Sequence, residues 1–266
     1  MQDTNNEKDA LLLEKRFIDL SRTAYQRDII TYSDFLNLNE QNILHTLPKD
    51  KLFTRIVSFG GYDAAERQMA AFIPDALYLR WGKKEAGPED IDYPFRALKI
   101  APLNKKFAEE LSHRDYLGAV LNLGIERSKT GDILVSGDSA LIFVHRDMAA
   151  VVSGELTRIR HTSVRADEVP VSEISYQPAC EEIRGTVASV RLDSLLALAF
   201  SSSRTRLTGL IEGAKVYVNG RLVTSNGYQP AEGDVVSVRG MGKFRFEGCG
   251  SRTRKNRITV TVSKYI

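Results

Sequence analysis

The sequence predicts an α+β protein in three parts: an N-terminal mixed α/β region (residues 1–80), a central ferredoxin-like (RRM-like) domain (residues 81–178) and a basic C-terminal module (residues 184–266). Three observations support this prediction. The chain has 266 residues, 42% of them hydrophobic and 27% charged, a globular composition that is too long for one small module. Its middle part shows strand and helix patterns in the order β-α-β-β-α-β. Its positive charge is concentrated at the C-terminal end.

The charge distribution separates a basic module from an acidic remainder. The whole chain carries 37 Lys and Arg against 34 Asp and Glu, a formal net charge of +3. Residues 184–266 hold 14 of those cations and five of the acids, so they carry +9 and the first 183 residues carry −6. An ordinary solvated surface does not readily produce such an excess, and we expect nucleic acid as the polyanionic partner of the basic module.

The first 80 residues predict helices and one strand. Apolar residues in the range 11–20 recur near the helical period of 3.6 residues, and a second helical stretch follows Ser33-Asp34. Residues 52–59 predict a strand. Asp63 then predicts the cap of a short helix over residues 64–73.

The central domain begins with a predicted strand over residues 93–100. Ser112 is the predicted N-cap of the next helix, and Asp115 stands where it completes a capping box. Gly137-Asp138, between two short apolar runs, predicts a β-hairpin. The domain ends with a helix and an extended segment, residues 146–156 and 158–169. Its central strands lack the aromatic signature with which RRM strands stack on bases, so we do not expect it to bind single-stranded RNA in that way.

The C-terminal module follows a predicted boundary at Gln177-Pro178. Asp193 opens a first short helix, and Ser203 opens a second helix that ends at Gly213. Asn219-Gly220 predicts a tight turn between two strands. Three further strands are predicted from alternating apolar residues, in the ranges 235–240, 243–248 and 257–265.

Several functional classes are excluded by what the sequence lacks. No apolar run approaches the roughly 18 residues of a membrane span, and the N-terminus lacks the basic and apolar regions of a signal peptide. Cys180 and Cys249 are isolated and the four histidines are scattered, so no metal site is expected. No P-loop, GxSxG or HExxH motif occurs, and helix capping explains His113-Arg114-Asp115 better than kinase chemistry does. We therefore expect a cytoplasmic protein with no catalytic residue, metal or cofactor.

A phosphate-binding arrangement is predicted at the start of the second C-terminal helix. Arg204 and Arg206 lie in its first turn, where cations oppose the positive end of the helix dipole. An anion bound there would make the arrangement favourable. Backbone N–H groups from Ser203 onward and the two guanidinium groups would then surround a phosphate. A merely solvated helix face is the alternative for both arginines.

The predicted hairpin has two different faces. Lys215, Tyr217 and Asn219 share one face by alternation, and Val216 and Val218 share the other. We therefore expect a polar, basic face opposite a buried one.

The same alternation continues in a later strand. Lys243 and Arg245 alternate with Phe244 and Phe246, which predicts one cationic and one apolar face. We expect the two phenylalanines in the core rather than stacked on bases.

A stretch of the C-terminal module resembles a known RNA-binding module. The segments Arg191-Leu192-Asp193, SSSRTRLTGLIEGAKVYVNG and GDVVSV are similar to the S-four module, first seen in small-subunit ribosomal protein four. The likeness covers residues 191–241 and depends on the combination of an R-L-D start, a Ser-Arg helix opening, a V-x-V-N-G hairpin and a G-D-x-V strand. It implies binding to structured RNA. An ion pair with Asp193 is the alternative role for Arg191.

The middle of the chain extends the resemblance. The segment SHRDYLGAVLNLGIERSKTGDILV, the entry RGTVASVRLDS and the stretch at Arg239 to Phe244 are similar to the YlmH family of bacterial S-four proteins. The resemblance implies a cytoplasmic, non-enzymatic factor that binds ribosomal RNA of the large subunit and tRNA. It further implies a role in rescuing stalled ribosomes, where C-terminal tails are added to nascent chains. Ribosomal or quality-control proteins are further implied partners, no membrane is involved, and we expect a monomer away from the ribosome.

The candidate RNA-binding residues are cationic or polar side chains of the C-terminal module: Arg191, Ser203, Arg204, Arg206, Lys215, Asn219, Arg221, Lys243 and Arg245. Contacts from such side chains to phosphates would position RNA without reading its bases. Arg114 and Arg127 of the central domain are weaker candidates. Two alternatives stay open: an rRNA-modifying enzyme of the pseudouridine synthase or methyltransferase type, and a cell-division scaffold.

Overall fold

A computed structural model describes residues 2–63, 65–82, 86–174 and 179–265, apart from the side chains of residues 2–7 and of Arg204. The chain divides into two units, Met1–Tyr176 and Gln177–Ile266. Both contain helices and antiparallel sheet, which confirms the predicted α+β class. The predicted boundary at Gln177-Pro178 lies outside the described residues, and the three predicted domain ranges stay predictions.

In its described residues, the N-terminal part of the first unit has three α-helices and a three-stranded antiparallel sheet. In chain order its elements are α1 (Gln2–Arg27), β1 (Thr31–Tyr32), α2 (Leu38–Thr46), β2 (Arg55–Phe59), β3 (Met69–Ile73) and α3 (Asp75–Trp81). Strand β3 lies between β1 and β2. The two helices α1 and α2 pack on one face of this sheet through a core that includes Phe17, Leu44 and Phe72.

The predicted helix over residues 64–73 is wrong, because its second half is strand β3. Every residue of β3 is buried. Phe72 packs in the core beneath α1 and α2, whereas Met69 and Ile73 pack in a second core on the opposite face. A strand that is buried on both faces has a continuous apolar run, so it lacks the alternation that identifies a half-buried strand.

Helix α2 begins later than Ser33-Asp34, where its start is predicted. Its N-cap is Asn37, whose Oδ1 accepts hydrogen bonds from the backbone N–H groups of the second and third residues after it. Glu40 completes a capping box, since its Oε2 accepts from the backbone N–H of Asn37 over 2.7 Å. Asp34 instead forms ion pairs with Arg16 and Lys129, at 2.8 and 2.6 Å.

The central part of the first unit has the predicted ferredoxin-like topology. Its elements are β4 (Phe95–Pro102), α4 (His113–Leu121), β5 (Thr130–Ser136), β6 (Ser139–His145), α5 (Arg146–Glu155), β7 (Arg158–Ile159) and β8 (Thr162–Val169). The antiparallel sheet has the strand order β5-β6-β4-β8-β7, in which β7 is an added edge strand. The order β-α-β-β-α-β is confirmed.

Two local predictions in this part are confirmed. At the start of α4, Asp115 Oδ2 accepts hydrogen bonds from Ser112 N and Ser112 Oγ, over 2.8 and 2.7 Å. Strands β5 and β6 are joined by the two-residue turn Gly137-Asp138, and Gly137 has the positive φ of 58° that such a turn favours.

The ferredoxin-like sheet is buried on both faces within the first unit. Helices α4 and α5 cover one face through a core that includes Leu98, Tyr116 and Val152. The N-terminal part covers the other face, where Phe95 and Phe143 pack in one core with residues that precede β4. Phe95 is 3% exposed and Phe143 is 0% exposed.

The second unit consists of two helices on one side of a six-stranded antiparallel sheet. Its elements are β9 (Cys180–Val187), α6 (Leu192–Phe200), α7 (Arg204–Glu212), β10 (Val216–Val218), β11 (Arg221–Leu222), β12 (Val235–Val238), β13 (Gly242–Arg252) and β14 (Ile258–Tyr265). The strand order is β11-β10-β12-β13-β14-β9. All the predicted elements of this unit are present, and β9 is a strand that the sequence analysis missed.

One face of this sheet forms the core of the second unit. Leucines of α6 and α7 pack against the buried side chains of Val216, Val236, Phe244 and Phe246. The predicted core position of the two phenylalanines is confirmed, since both are at most 1% exposed. Among the described residues, no helix has the length and apolar character needed to cross a membrane.

Candidate nucleic-acid interface

The start of α7 carries three of the predicted site residues. Ser203 is the N-cap, and its Oγ accepts a hydrogen bond from Arg206 N over 3.4 Å. The side chains of Ser203 and Arg206 are exposed. Arg204 is the first residue of the helix, but its side chain lies outside the described residues. Because the first N–H groups of a helix have no intrahelical partner, this turn offers backbone donors beside a guanidinium group.

Arg191 lies at a different position, at the start of α6. Its Nε is 3.2 Å from Asp193 Oδ1, so the alternative of an ion pair with Asp193 is present in the structure. The same Nε is inaccessible to solvent and makes no hydrogen bond within the described part of the chain. The Arg191 side chain as a whole is 43% exposed, and Asp193 limits its orientation. An exposed guanidinium group held in this way can still donate to a phosphate.

Asn219 has a structural role in the hairpin between β10 and β11. Its backbone has a φ of 48° and that of Gly220 a φ of 76°, as a two-residue type I′ turn requires. The Asn219 Nδ2 donates to Asp234 Oδ1 over 2.7 Å, and its Oδ1 accepts from Val235 N over 2.9 Å. The side chain therefore binds the neighbouring strand. Arg221, the next predicted site residue, is exposed at the start of β11.

The expectation of a solvated polar face on the hairpin is wrong for Tyr217. All three residues of β10 are buried, and Tyr217 is only 1% exposed. The guanidinium group of Arg239 lies over the Tyr217 ring, 5.5 Å from its centroid. Tyr217 therefore supports a cation instead of facing solvent.

The sheet face opposite α6 and α7 carries a second group of cations. Lys243 and Arg245 alternate with the core residues Phe244 and Phe246, so they lie on this opposite face. Lys243 Nζ is 5.2 Å from the centroid of the Tyr265 ring. Lys215 directly precedes β10 and Arg239 directly follows β12, and the two are neighbours, since Arg239 N donates to Lys215 O over 2.9 Å. We call these four residues, Lys215, Arg239, Lys243 and Arg245, the sheet-face cations.

The structure thus separates the predicted site residues instead of joining them in one site. Ser203, Arg204 and Arg206 belong to one helical turn, whereas Lys215, Lys243 and Arg245 belong to the other side of the sheet. Arg239 is the residue that the sequence analysis missed. The cationic run from residue 239 to 257 is the signal that could have identified it, because this run contains seven Lys and Arg and one acid.

Arg127 of the first unit has a structural role. Its guanidinium group donates hydrogen bonds to the carbonyl oxygens of Thr130 and Gly131, over 3.0 and 3.1 Å. Burial, together with the neighbouring Arg67 guanidinium group, lowers the pKa of Arg127 to about 10. Arg114 is exposed on α4. Arg127 therefore holds its own loop, whereas Arg114 is available to a ligand.

The two cysteines and the possible metal ligands are spread over the part of the chain that the structure describes. Cys180 and Cys249 are both exposed, and no disulfide joins them. No group of three or more His, Cys, Asp or Glu side chains in the described ranges could hold a metal ion. The cations and backbone donors described above can bind an anion.

Both units of the chain match known family models. Residues 88–173 match the family model described as the putative RNA-binding domain in YlmH, and residues 190–236 match the S4 (S-four) domain. The chain is 30% identical over 256 residues to the ribosome-associated protein quality control protein P2 of Bacillus subtilis (strain 168), covering 94% of this chain and 95% of that protein. It is 25% identical to the solved cell division protein ylmH from Streptococcus pneumoniae, with a TM-score of 0.48, covering 63% of this chain and 93% of that one.

Proposed function

This chain belongs to the YlmH family, and from that premise we propose that it binds the large ribosomal subunit through ribosomal RNA and tRNA during the rescue of stalled ribosomes. It is an RNA-binding protein of ribosome quality control. In the proposed role it acts in the cytoplasm, during the addition of C-terminal tails to nascent chains. It acts by binding, since neither matched domain is described as catalytic.

The start of α7 is the observation that carries this proposal. Arg206 and the N-cap Ser203 are exposed at the positive end of a nine-residue helix, which is the side where an anion is stabilised. No acidic residue lies in the first turn of α7 to occupy that position. Residues 184–266, which include this helix, have a large excess of positive charge, from 14 cations and five acids. A phosphate group of structured RNA would be stabilised both by the positive end of the helix and by the excess of cations around it.

The sheet-face cations would give the same unit a second set of phosphate contacts. Arg239 and Lys243 are each supported by a tyrosine ring, which limits the orientations of their side chains. Less conformational entropy is then lost when a phosphate binds. Because contacts to phosphates carry no sequence information, we expect selection by the shape of the RNA rather than by its bases.

Co-sedimentation with purified ribosomal subunits tests this proposal. The full chain is mixed with small subunits, with empty large subunits, or with large subunits that carry peptidyl-tRNA, at 50 and 200 mM salt. We expect the tightest binding to the large subunits that carry peptidyl-tRNA, and a loss of binding at the higher salt. Equal binding to large subunits with and without peptidyl-tRNA would contradict the proposal. Binding that is the same at both salt concentrations would also contradict it.

A further inference from the structure

The first unit contains the matched RNA-binding domain, but the surface that RRM domains use is closed in it. On the side of the ferredoxin-like sheet away from α4 and α5, Phe95 and Phe143 are buried in a core shared with the N-terminal part. An RNA strand cannot stack on buried rings. Any RNA contact of residues 88–173 must therefore use another surface of this unit.

A groove on the helix side of the same sheet is lined by three arginines. It lies between α4, the C-terminal end of α5 and the β7–β8 hairpin, and has a volume of about 410 Å³. Arg114 lies on α4, Arg158 in β7 and Arg160 in the hairpin turn, and all three are exposed. Arg114 and Arg158 have no ion-pair partner among the described residues. Arg160 has a φ of 52°, a left-handed conformation that is uncommon for a residue with a side chain.

The acidic residues of this groove do not neutralise it. Asp115 Oδ2 is occupied by the backbone and side chain of Ser112, and its Oδ1 lies 3.7 Å from Arg160 Nη1. These hydrogen bonds from Ser112 hold the pKa of Asp115 below its usual value. Glu155 is the other acid of the lining and is exposed at the end of α5. Three arginines against these two acids leave the groove with a formal excess of one positive charge, and only Asp115 lies within ion-pair distance of one of the arginines, Arg160.

An exposed aromatic side chain lies at the same end of the unit. Phe107, in the loop between β4 and α4, is 74% exposed, and Lys106 Nζ lies 5.8 Å from its ring centroid. This loop is bound to the start of β8: Leu103 N donates to Ser163 O over 2.9 Å, and Glu109 N donates to Thr162 Oγ1 over 3.0 Å. The turn that carries Arg160 immediately precedes β8, so the loop and the groove are adjacent.

We propose that this end of the first unit, which we call the arginine groove, binds the backbone phosphates of RNA while Phe107 stacks on an unpaired base. The proposal rests on the proposed function and adds to it a second RNA contact, outside the S4 domain. Guanidinium groups form paired hydrogen bonds with phosphate oxygens, and aromatic rings stack on any base. Together they suit a structured RNA with one splayed nucleotide.

The experiment measures binding of the full chain to an in vitro transcript of large-subunit ribosomal RNA over a range of salt concentrations. The triple variant Arg114→Ala, Arg158→Ala, Arg160→Ala is expected to have a weaker salt dependence. The magnitude of its slope of log K against log salt should be smaller by about two, because each phosphate contact contributes about 0.9. The variant Phe107→Ala is expected to bind about tenfold more weakly with an unchanged slope, since stacking releases no counterions. The two variants thus separate the two contacts.

Matched controls come from the same unit. The triple variant Lys15→Ala, Arg27→Ala, Lys51→Ala removes the same charge from exposed positions elsewhere, and Leu79→Ala truncates another exposed apolar side chain. Both controls are expected to bind like the wild type. Equal slopes in the two triple variants would overturn the proposal, since the effect would then come from net charge alone.

A photo-crosslink keeps the proposal falsifiable if the triple variant folds poorly. Benzoylphenylalanine at position 107 is expected to crosslink to the transcript, and the same residue at position 79 is not. The proposal of the arginine groove is overturned if the wild type binds the transcript, position 107 gives no crosslink and the triple arginine variant binds normally. The proposed function would then still stand. A wild type that does not bind the transcript overturns both.

Discussion

Asp132 accepts a hydrogen bond from the backbone N–H of Arg67 over 3.1 Å, although 65 residues separate them in the chain. Its Oδ2 also accepts from Tyr62 Oη and Glu66 N, over 2.8 and 2.7 Å. In return, Arg67 Nε donates to the carbonyl oxygen of Thr130 over 2.8 Å. These bonds join the segment before β3 to strand β5. They hold the N-terminal part over the sheet face that would otherwise be open to RNA.

Replacement of Asp132 by alanine is expected to destabilise the first unit. The change leaves three donors without their acceptor, and hydrogen bonds to a charged group contribute about 1.5–3 kcal/mol each at most. Since solvent can replace part of them, we expect a loss of about 2 kcal/mol in the free energy of unfolding, measured by urea denaturation. Asp9→Ala, at an exposed position of α1, is the matched control and should change it little. An unchanged urea midpoint for Asp132→Ala would show that these bonds do not hold the segment.

Replacement of Asn219 separates its structural role from the predicted RNA contact. The variant Asn219→Ala loses both hydrogen bonds to the neighbouring strand and places a less tolerant residue at a φ of 48°. We expect it to lower the stability of the second unit by about 2 kcal/mol. Asn219→Gly keeps the turn conformation and should lose about 1 kcal/mol.

RNA affinity is the second measurement on the Asn219 variants. At a temperature where Asn219→Gly is folded, we expect the wild-type affinity for a large-subunit ribosomal RNA transcript, because the Asn219 amide is occupied by Asp234 and Val235. A clear loss of affinity by the folded glycine variant would instead support the predicted contact between Asn219 and RNA.

The sheet-face cations are expected to contribute to the salt dependence of RNA binding. The double variant Arg239→Ala, Lys243→Ala removes two cations that lie over Tyr217 and Tyr265. We expect the slope of log K against log salt to fall by one to about two, as for one or two lost phosphate contacts. The control Arg254→Ala, Lys255→Ala removes the same charge from the exposed turn between β13 and β14. If both double variants behave alike, the sheet face is not a specific contact.

Local signals predicted much of this fold, and tertiary contacts account for what they missed. The Ser112–Asp115 capping box and the Gly137-Asp138 and Asn219-Gly220 turns are encoded within a few residues, and all three are present. Strand β3 is different, because both of its faces are buried by elements distant in the sequence. The segment that precedes β3 is joined to the ferredoxin-like sheet by the hydrogen bond between Arg67 and Asp132, a pair that leaves no pattern in the sequence.

The sequence predicted most residues of the candidate site. It did not predict that these residues lie on two separate surfaces of the second unit. The alternation of Lys243 and Arg245 with two phenylalanines correctly indicated a cationic strand face. It did not indicate that α6 and α7 cover the opposite face, because the side on which a helix packs is decided by tertiary structure. The burial of Tyr217 was not predicted for the same reason, since the Arg239 guanidinium group over its ring comes from a distant part of the sequence.

The start of α7 gives the most direct test of RNA binding by the second unit. The double variant Arg204→Ala, Arg206→Ala keeps the N-cap Ser203 and replaces both first-turn cations with a strong helix former, so the helix should be retained or strengthened. We expect an affinity for the transcript that is at least about tenfold lower at low salt, and a slope reduced by one to about two.

A combined variant tells whether the start of α7 and the sheet face contact the same RNA. If one RNA touches both surfaces through independent phosphates, the free-energy losses of the two double variants should add in the quadruple variant to within about 0.5 kcal/mol. If the surfaces bind alternative RNAs, each double variant should weaken binding to a different transcript, which competition with unlabelled tRNA would reveal. If the double variant Arg204→Ala, Arg206→Ala has the wild-type affinity and slope, the start of α7 does not contact a phosphate. The sheet face would then be the binding surface of this unit.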